Sequence, residues 1–314
     1  VAAGSAADAS GCACTVCPCA EQALLPRTCE AGSVAHAMAF CDATKSTDAR
    51  VADLLGRLTR QEKISLVERA DTGFLPRLNL KQFQFFNTCL HGWATSNVTN
   101  FGMPIGLAAS FDLGLMRQIS EVVGSEGQAM SQRDYNASFN FALKVHGVAT
   151  NWGVCKDSSE VNMARDPRWG SVSETLGEDP YLTSTMGEAF TQQLQRPDPS
   201  ISFLRVAAVT RHSVVYSGPE SLCSDATAPG CSHWKPTEPE RSTTQGGYPT
   251  RFAFNAQVSE RDLEDYFYPP FEATISQARG ASAGVMCSDA AQNGVPSCAS
   301  SLLMKQKIKD WNAS

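Results

Sequence analysis

Between Met163 and Pro180 the chain reads MARDPRWGSVSETLGEDP. Arg165, Arg168, Trp169 and four carboxylates (Asp166, Glu174, Glu178, Asp179) crowd into this one proline-punctuated run. Carboxylates placed near one another can act as acid and base, and a guanidinium can hold oxygen atoms through charge-assisted hydrogen bonds. A structural reading stands beside the catalytic one. Buried charges need partners, so Arg168 and the acids Glu174, Glu178 and Asp179 can form a buried ion-pair network. Trp169 reads as core, with stacking against a ligand ring as the alternative. Further along, Arg211-His212 and Ser288-Asp289 close apolar runs, and His91 reads either as a turn histidine or as a ligand contact. His36, His146 and His233 have no visible partner in the sequence and read as surface or packing residues.

Cysteine usage points to an oxidising compartment. There are twelve cysteines, and Cys12, Cys14, Cys17, Cys19, Cys29 and Cys41 all lie near the start. The run GCACTVCPC has a Cys-x-x-Cys pair with metal-ligand spacing, but it contains no histidine, so disulfides are the expectation and no metal or other cofactor is expected. The sequons at Asn97, Asn136 and Asn312 suit a secreted, extracellular glycoprotein. A first residue of Val1 rather than Met fits a removed signal peptide. The net charge of −6, with basic residues scattered, argues against a nucleic-acid surface. No apolar run approaches the ~18 residues that a membrane-spanning helix requires.

These side chains must be positioned by elements the spacing predicts. Residues 1–45 read as a Cys-rich arm, and 46–314 as the body. A helix capped by Asp48 is expected to carry Val51, Leu54, Leu55, Leu58 and Ile64 at helical spacing. A second opens at Asp112 with Leu115, Met116, Ile119 and Val123 on one face. A third follows Pro180 and buries Leu182, Met186, Phe190 and Leu194. A fourth opens at Ser259 with Asp262 at capping-box spacing, is interrupted by Pro269-Pro270, and resumes to about Ala278. Between them KVHGVATNW, LRVAAVT (204–210) and AGVMCS (283–288) have strand character. Helices alternating with apolar strands predict an α/β fold with a parallel sheet covered on both faces. Functional side chains collect at such strand ends, which places Arg211, His212, Ser288 and Asp289 there. Residues 217–250 read as a polar insertion on that face, where Cys223 and Cys231 can close a loop.

The motifs DPRWG, ETLGEDPYL, VSERDLEDYFYPPF and VMCSDAAQNGVPSCAS, together with Phe40-Cys41-Asp42, Ala49–Ile64 and Leu90-His91-Gly92, resemble the N-terminal domain of glycoside hydrolase family 3. The similarity runs in order from about Phe40 to Trp311, on the β-xylosidase/arabinofuranosidase branch. It implies a (β/α)₈ TIM-type barrel and a retaining mechanism with an aspartate nucleophile and a glutamate acid/base. It also implies a Cys287–Cys298 disulfide. In the family the nucleophile's strand follows the tryptophan matched by Trp311, so no catalytic residue is expected in this chain. The barrel is expected to be incomplete, finished by a further C-terminal segment or a second chain.

The resemblance also implies a set of sugar-holding positions. A carboxylate before LHG is here Thr88, an arginine after WG is Ser171, a Lys-His pair is Arg211-His212, and a tyrosine–asparagine pair is Asp289-Ala290. A threonine cannot act as a bidentate anionic acceptor, and losing a charged hydrogen-bond partner costs roughly 1.5–3 kcal/mol. Thr88, His91, Arg168, Trp169, Ser171, Arg211, His212 and Asp289 are therefore expected to line a degenerate pocket. The implied protein is an extracellular pseudoenzyme with a structural or carbohydrate-binding role, its Cys-rich arm suited to assembly. The alternative is an active exo-glycosidase whose nucleophile and acid/base lie outside these residues.

Overall fold

The structure is a computed structural model of the 314-residue chain. It describes residues 28–68, 75–80, 87–94, 98–142, 154–196, 198, 200, 204–218, 244–245, 248–249, 251 and 254–313. The cysteines before Cys29, the pair Cys223 and Cys231, the run KVHGVATN with its tryptophan, and Asn97 lie outside these residues. The chain divides into two compact units, one of residues 1–84 with 131–151 and one of 85–130 with 152–314.

In the first unit a Cys29–Cys41 disulfide closes a short loop. Asp53 Oδ2 accepts from the Phe40 N–H at 3.0 Å, and Arg50 Nε donates to the Phe40 carbonyl at 2.9 Å. Two helices follow where one was expected: α1 (Thr47–Arg57) and α2 (Arg60–Glu68). Ser46, not Asp48, caps α1, its hydroxyl accepting from the Ala49 N–H, while Asp48 sits in the first turn. The break comes from competing hydrogen bonds. Leu58 turns extended, and Thr59 and Glu62 form a reciprocal capping box that starts α2 afresh, with Thr59 N–H to Glu62 Oε2 at 2.8 Å and Glu62 N–H to Thr59 Oγ1 at 3.2 Å. Leu58 thereby packs with Leu75 and Leu78, while Val51 and Leu55 of the same predicted stripe stay exposed.

The second unit is built on a three-stranded parallel sheet in sequential order: β1 (Val154–Glu160), β2 (Ala207–Ser213) and β3 (Gly284–Cys287). The register sets Glu160 beside Arg211 and Ser213 beside Cys287. This is the expected α/β character, with two corrections. β1 is VCKDSSE, a stretch too polar to be read as a strand. β2 continues through Ser213, so Arg211 and His212 lie within it rather than beyond it.

Helix α4 (Leu113–Ala142) opens on Asp112, whose Oδ1 accepts from the Leu115 N–H at 2.9 Å; a short α3 (Pro104–Ala108) precedes it. Met116, Ile119 and Val123 are buried as expected, but Leu115 faces outward. Trp93 lies against this helix and donates from Nε1 to the Val123 carbonyl at 2.7 Å. Only glycine fits at 127, where an added Cβ would stand 2.2 Å from the indole ring. Helix α5 (Pro180–Gln195) is capped by Asp179 and buries Met186, Phe190 and Leu194, with Leu182 packed at the margin. Ser259 caps the next helical segment as expected, and Pro269-Pro270 restart it as α6 (Pro269–Ile275), where a missing N–H costs nothing. The helix ends at Ile275, short of Ala278, because Ser276 leaves helical geometry.

Among the described residues two disulfides hold this unit: Cys89–Cys155 ties the segment after Asn87 to β1, and Cys287–Cys298 closes the loop after β3. Inside the second loop Ala291–Gln292 and Val295–Pro296 pair antiparallel around Asn293 (φ 49°) and Gly294 (φ 83°). Of the 217–250 segment, Thr244–Gln245 and Tyr248–Pro249 form a small antiparallel pair.

Candidate functional site

The parallel register brings Asp157 and Glu160 of β1 together with Arg211 and His212 of β2, and Glu174 joins them from the turn before α5. Glu160 closes β1 with no exposure to solvent. His212 Nδ1–H donates to Glu160 Oε2 at 2.6 Å, and Asn162 Nδ2 donates to Glu160 Oε1 at 2.9 Å. Arg211 lies 3.8 Å from Glu160 Oε2 and 3.9 Å from Asp157 Oδ2, and forms a close ion pair with Glu174. Arg211 is about one-tenth exposed, so its charge is answered by carboxylates rather than water. Asn162 knits the cluster to the next turn: its amide donates to the His212 carbonyl at 2.7 Å, and its Oδ1 accepts from the Tyr216 N–H at 2.9 Å.

The two glutamates titrate in opposite directions. Burial alone would raise the Glu160 carboxyl, but His212, Arg211 and Asn162 outweigh it and hold the group below its ordinary value. Glu174 is pushed up, chiefly by burial and further by Glu160 and Asp157, and Arg211 only partly offsets this. The carboxyl groups of Asp157, Glu160 and Glu174 thus surround one guanidinium.

An aromatic wall adjoins these charges. The rings of His212 and Tyr216 lie 4.4 Å apart, and Trp169 meets Tyr216 edge-on at 5.6 Å. Tyr216 Oη donates to Asp289 Oδ2 at 3.2 Å, and Arg251 contacts both the phenol oxygen and, at 3.7 Å, Asp289. Trp169 and Tyr216 are buried with Ala290, so the tryptophan is core. A small cavity between β1 and the helices is lined by Leu107, Met116, Leu176 and Phe190, with Ser159 and Glu160 among its polar groups. Among the described residues the only grouped metal-type donors are Cys89, Cys155 and Asp157, and both of those cysteines are in a disulfide.

No protein-family model matches the chain. Relatives do. It is 34% identical to a β-xylosidase/α-L-arabinofuranosidase of Medicago sativa subsp. varia over 284 residues, 86% of this chain and 31% of that protein. It is 33% identical to β-D-xylosidase 1 of Arabidopsis thaliana, covering 89% of this chain and 32% of the relative. Among solved structures, a GH3 exo-β-xylosidase in complex with a xylobiose aziridine probe matches 86% of the chain at 26% identity and a TM-score of 0.63. The chain belongs to glycoside hydrolase family 3. It spans about a third of the length of these relatives.

Within this family 3 chain the candidate positions separate. His212, Trp169 and Asp289 converge through Tyr216, and Arg211 joins His212 through their shared partner Glu160. Arg168 does not join them: it forms an exposed bidentate pair with Asp166. The expected network of Arg168 with Glu174, Glu178 and Asp179 is thereby corrected. Glu174 goes to Arg211, Asp179 caps α5, and the Glu178 carbonyl accepts from Tyr266 Oη. Thr88 and His91 lie half-buried in the segment before α3, their carbonyls accepting from Ala94 and Phe101. Ser171 lies in the single 3₁₀ turn Gly170–Glu174. Sequence reading missed Glu160, Asp157, Asn162 and Tyr216. The one available signal was position, since Asp157 and Glu160 precede the DPRWG motif on what proves to be a strand.

Proposed function

We propose that this chain is part of a secreted family 3 glycoprotein whose sugar site has lost catalysis and keeps a structural or carbohydrate-binding role. The observation that carries the reading is the fate of Arg211-His212. This is the pair closest to the family's sugar-holding pattern, and both side chains are engaged by Glu160, Asp157 and Glu174 inside the fold. The substitutions at Thr88, Ser171, Asp289 and Ala290 add to it. With Asp289 half-exposed and bonded to Tyr216, a carboxylate stands where the resemblance implies a tyrosine. The three parallel strands in sequential order support a (β/α)₈ barrel completed by further polypeptide, and the disulfides fit an oxidising compartment. Removing two charged hydrogen-bond partners from one subsite, at Thr88 and Ser171, corresponds to about two to four powers of ten in rate.

The test is turnover of 4-nitrophenyl β-xyloside, β-glucoside and α-L-arabinofuranoside by the longest natural form of the protein. The expected outcome is no hydrolysis above the blank, with or without retained binding of xylo-oligosaccharides. Clear turnover would establish the alternative, a retaining exo-glycosidase whose nucleophile and acid/base lie outside these residues. Intact mass before and after deglycosylation tests Asn97, Asn136 and Asn312 as acceptors; no mass change counts against the glycoprotein part.

A further inference from the structure

The run Met163–Pro180 contains two arginines that meet opposite fates. Arg168 is at the surface and has its own acid, Asp166, two residues away. Arg165 is half-buried, and no carboxylate of the described residues lies within ion-pair distance of it. Its Nη1 donates to the Met163 carbonyl at 3.2 Å and its Nη2 to the Tyr216 carbonyl at 2.6 Å. The guanidinium carbon stands 4.9 Å from the centre of the Phe267 ring. Nε and the second N–H of each Nη find no acceptor among the described residues. Met163, Tyr216 and Phe267 are themselves buried, so this cation sits against a wall that offers carbonyls and a ring face but no counter-ion.

Such an arrangement is costly. Two neutral hydrogen bonds and a ring face offset only part of what a guanidinium loses on leaving water. Burial accordingly draws its pKa below the ordinary arginine value, with Tyr266 and Glu160 opposing weakly. The remaining donors form the planar fork that matches two oxygens of one carboxylate.

We propose that Arg165 is a carboxylate-binding site, its unfilled donors taking both oxygens of one carboxylate from the side that solvent reaches. The carboxylate is either a free small anion or an aspartate or glutamate from further polypeptide. The proposal is independent of whether the sugar site turns over.

Acetate is the probe. At constant pH and ionic strength, replacing chloride with ~100 mM acetate raises the Tm of the 314-residue chain by about 2–4 °C if the site binds in the ~10 mM range. Arg165→Met abolishes the shift. Arg165→Lys, which keeps the charge but not the fork, retains less than half of it and serves as the readout should the methionine variant not fold. The two sources separate in a longer natural form. A shift that persists there identifies a free anion, whereas a shift lost there, with Arg165→Met strongly destabilising, identifies a carboxylate of the polypeptide. Indistinguishable effects of acetate and chloride on the 314-residue chain overturn the proposal, as does an equal acetate shift in Arg165→Met.

Discussion

A glutamate with no access to water faces an imidazole through one oxygen and an amide through the other at position 160. Replacing it with glutamine leaves His212 and Arg211 short of their anion, and breaking a buried pair by removing one partner costs about 3–5 kcal/mol. The pH dependence has a definite sign. The folded-state value of Glu160 is depressed, so its contribution is fully present above the ordinary glutamate value of 4.5 and is lost as pH falls below it. The stability gap between wild type and Glu160→Gln, measured by urea unfolding, is therefore widest near neutral pH and narrows on acidification below 4.5. A gap that stays constant down to pH 3 would show that Glu160 contributes through packing, not charge. Glu174 works in the other direction. Its value is raised, so its ionisation weakens the fold as pH climbs above the ordinary value. Neither role was legible in the sequence, because Glu174 reaches an arginine 37 residues away and Glu160 a histidine 52 residues away. Nearness in sequence suggested a network of Arg168 with Glu174, Glu178 and Asp179, but local geometry pairs Arg168 with Asp166 two residues away.

The elements were legible where one physical signal dominated and obscure where two competed. Asp112, Asp179 and Ser259 all accept from backbone N–H groups at helix starts, since a free polar side chain before an apolar run has few better partners. The stripe from Val51 to Ile64 misled because the capping box at Thr59 overrides periodicity. β1 escaped notice because its polar residues are satisfied inside the fold, Ser158 by the Val209 carbonyl and Asp157 by the Cys89 N–H. The loop after β3 shows how an element can be checked directly. Asn293 and Gly294 both have positive φ, the requirement of a type I′ turn, and the Asn293 side chain bonds both backbone groups of Val258 at 2.9 Å. Gly294→Ala should cost about 1–2 kcal/mol because its Cβ meets the left-handed penalty. Gly294→Asn should cost less, asparagine tolerating that conformation. Chemical denaturation ranks the two, and equal costs would mean that the turn relaxes to another type.

For the whole molecule the sheet raises a question its own strands do not answer. β2 is paired on both sides, whereas among the described residues no strand lies beyond β3. Parallel sheets with one open edge and helices over their faces are aggregation-prone unless the edge is covered, and barrels remove edges by closure. If the chain closes into a barrel only with further polypeptide, Gly284–Cys287 must be the weaker flank in the 314-residue chain. Its backbone amides should then exchange with deuterium roughly tenfold faster or more than those of Ala207–Ser213, since local opening spares the strand held on both sides. In a longer form that supplies the next strand, the two should approach equal protection. The Cys287–Cys298 disulfide does not change the expectation, because it closes the loop after β3 and leaves the far edge of that strand as it was. Equal protection already present in the 314-residue chain would mean that the edge is covered from within, and the argument for a barrel completed from outside would lose its structural support.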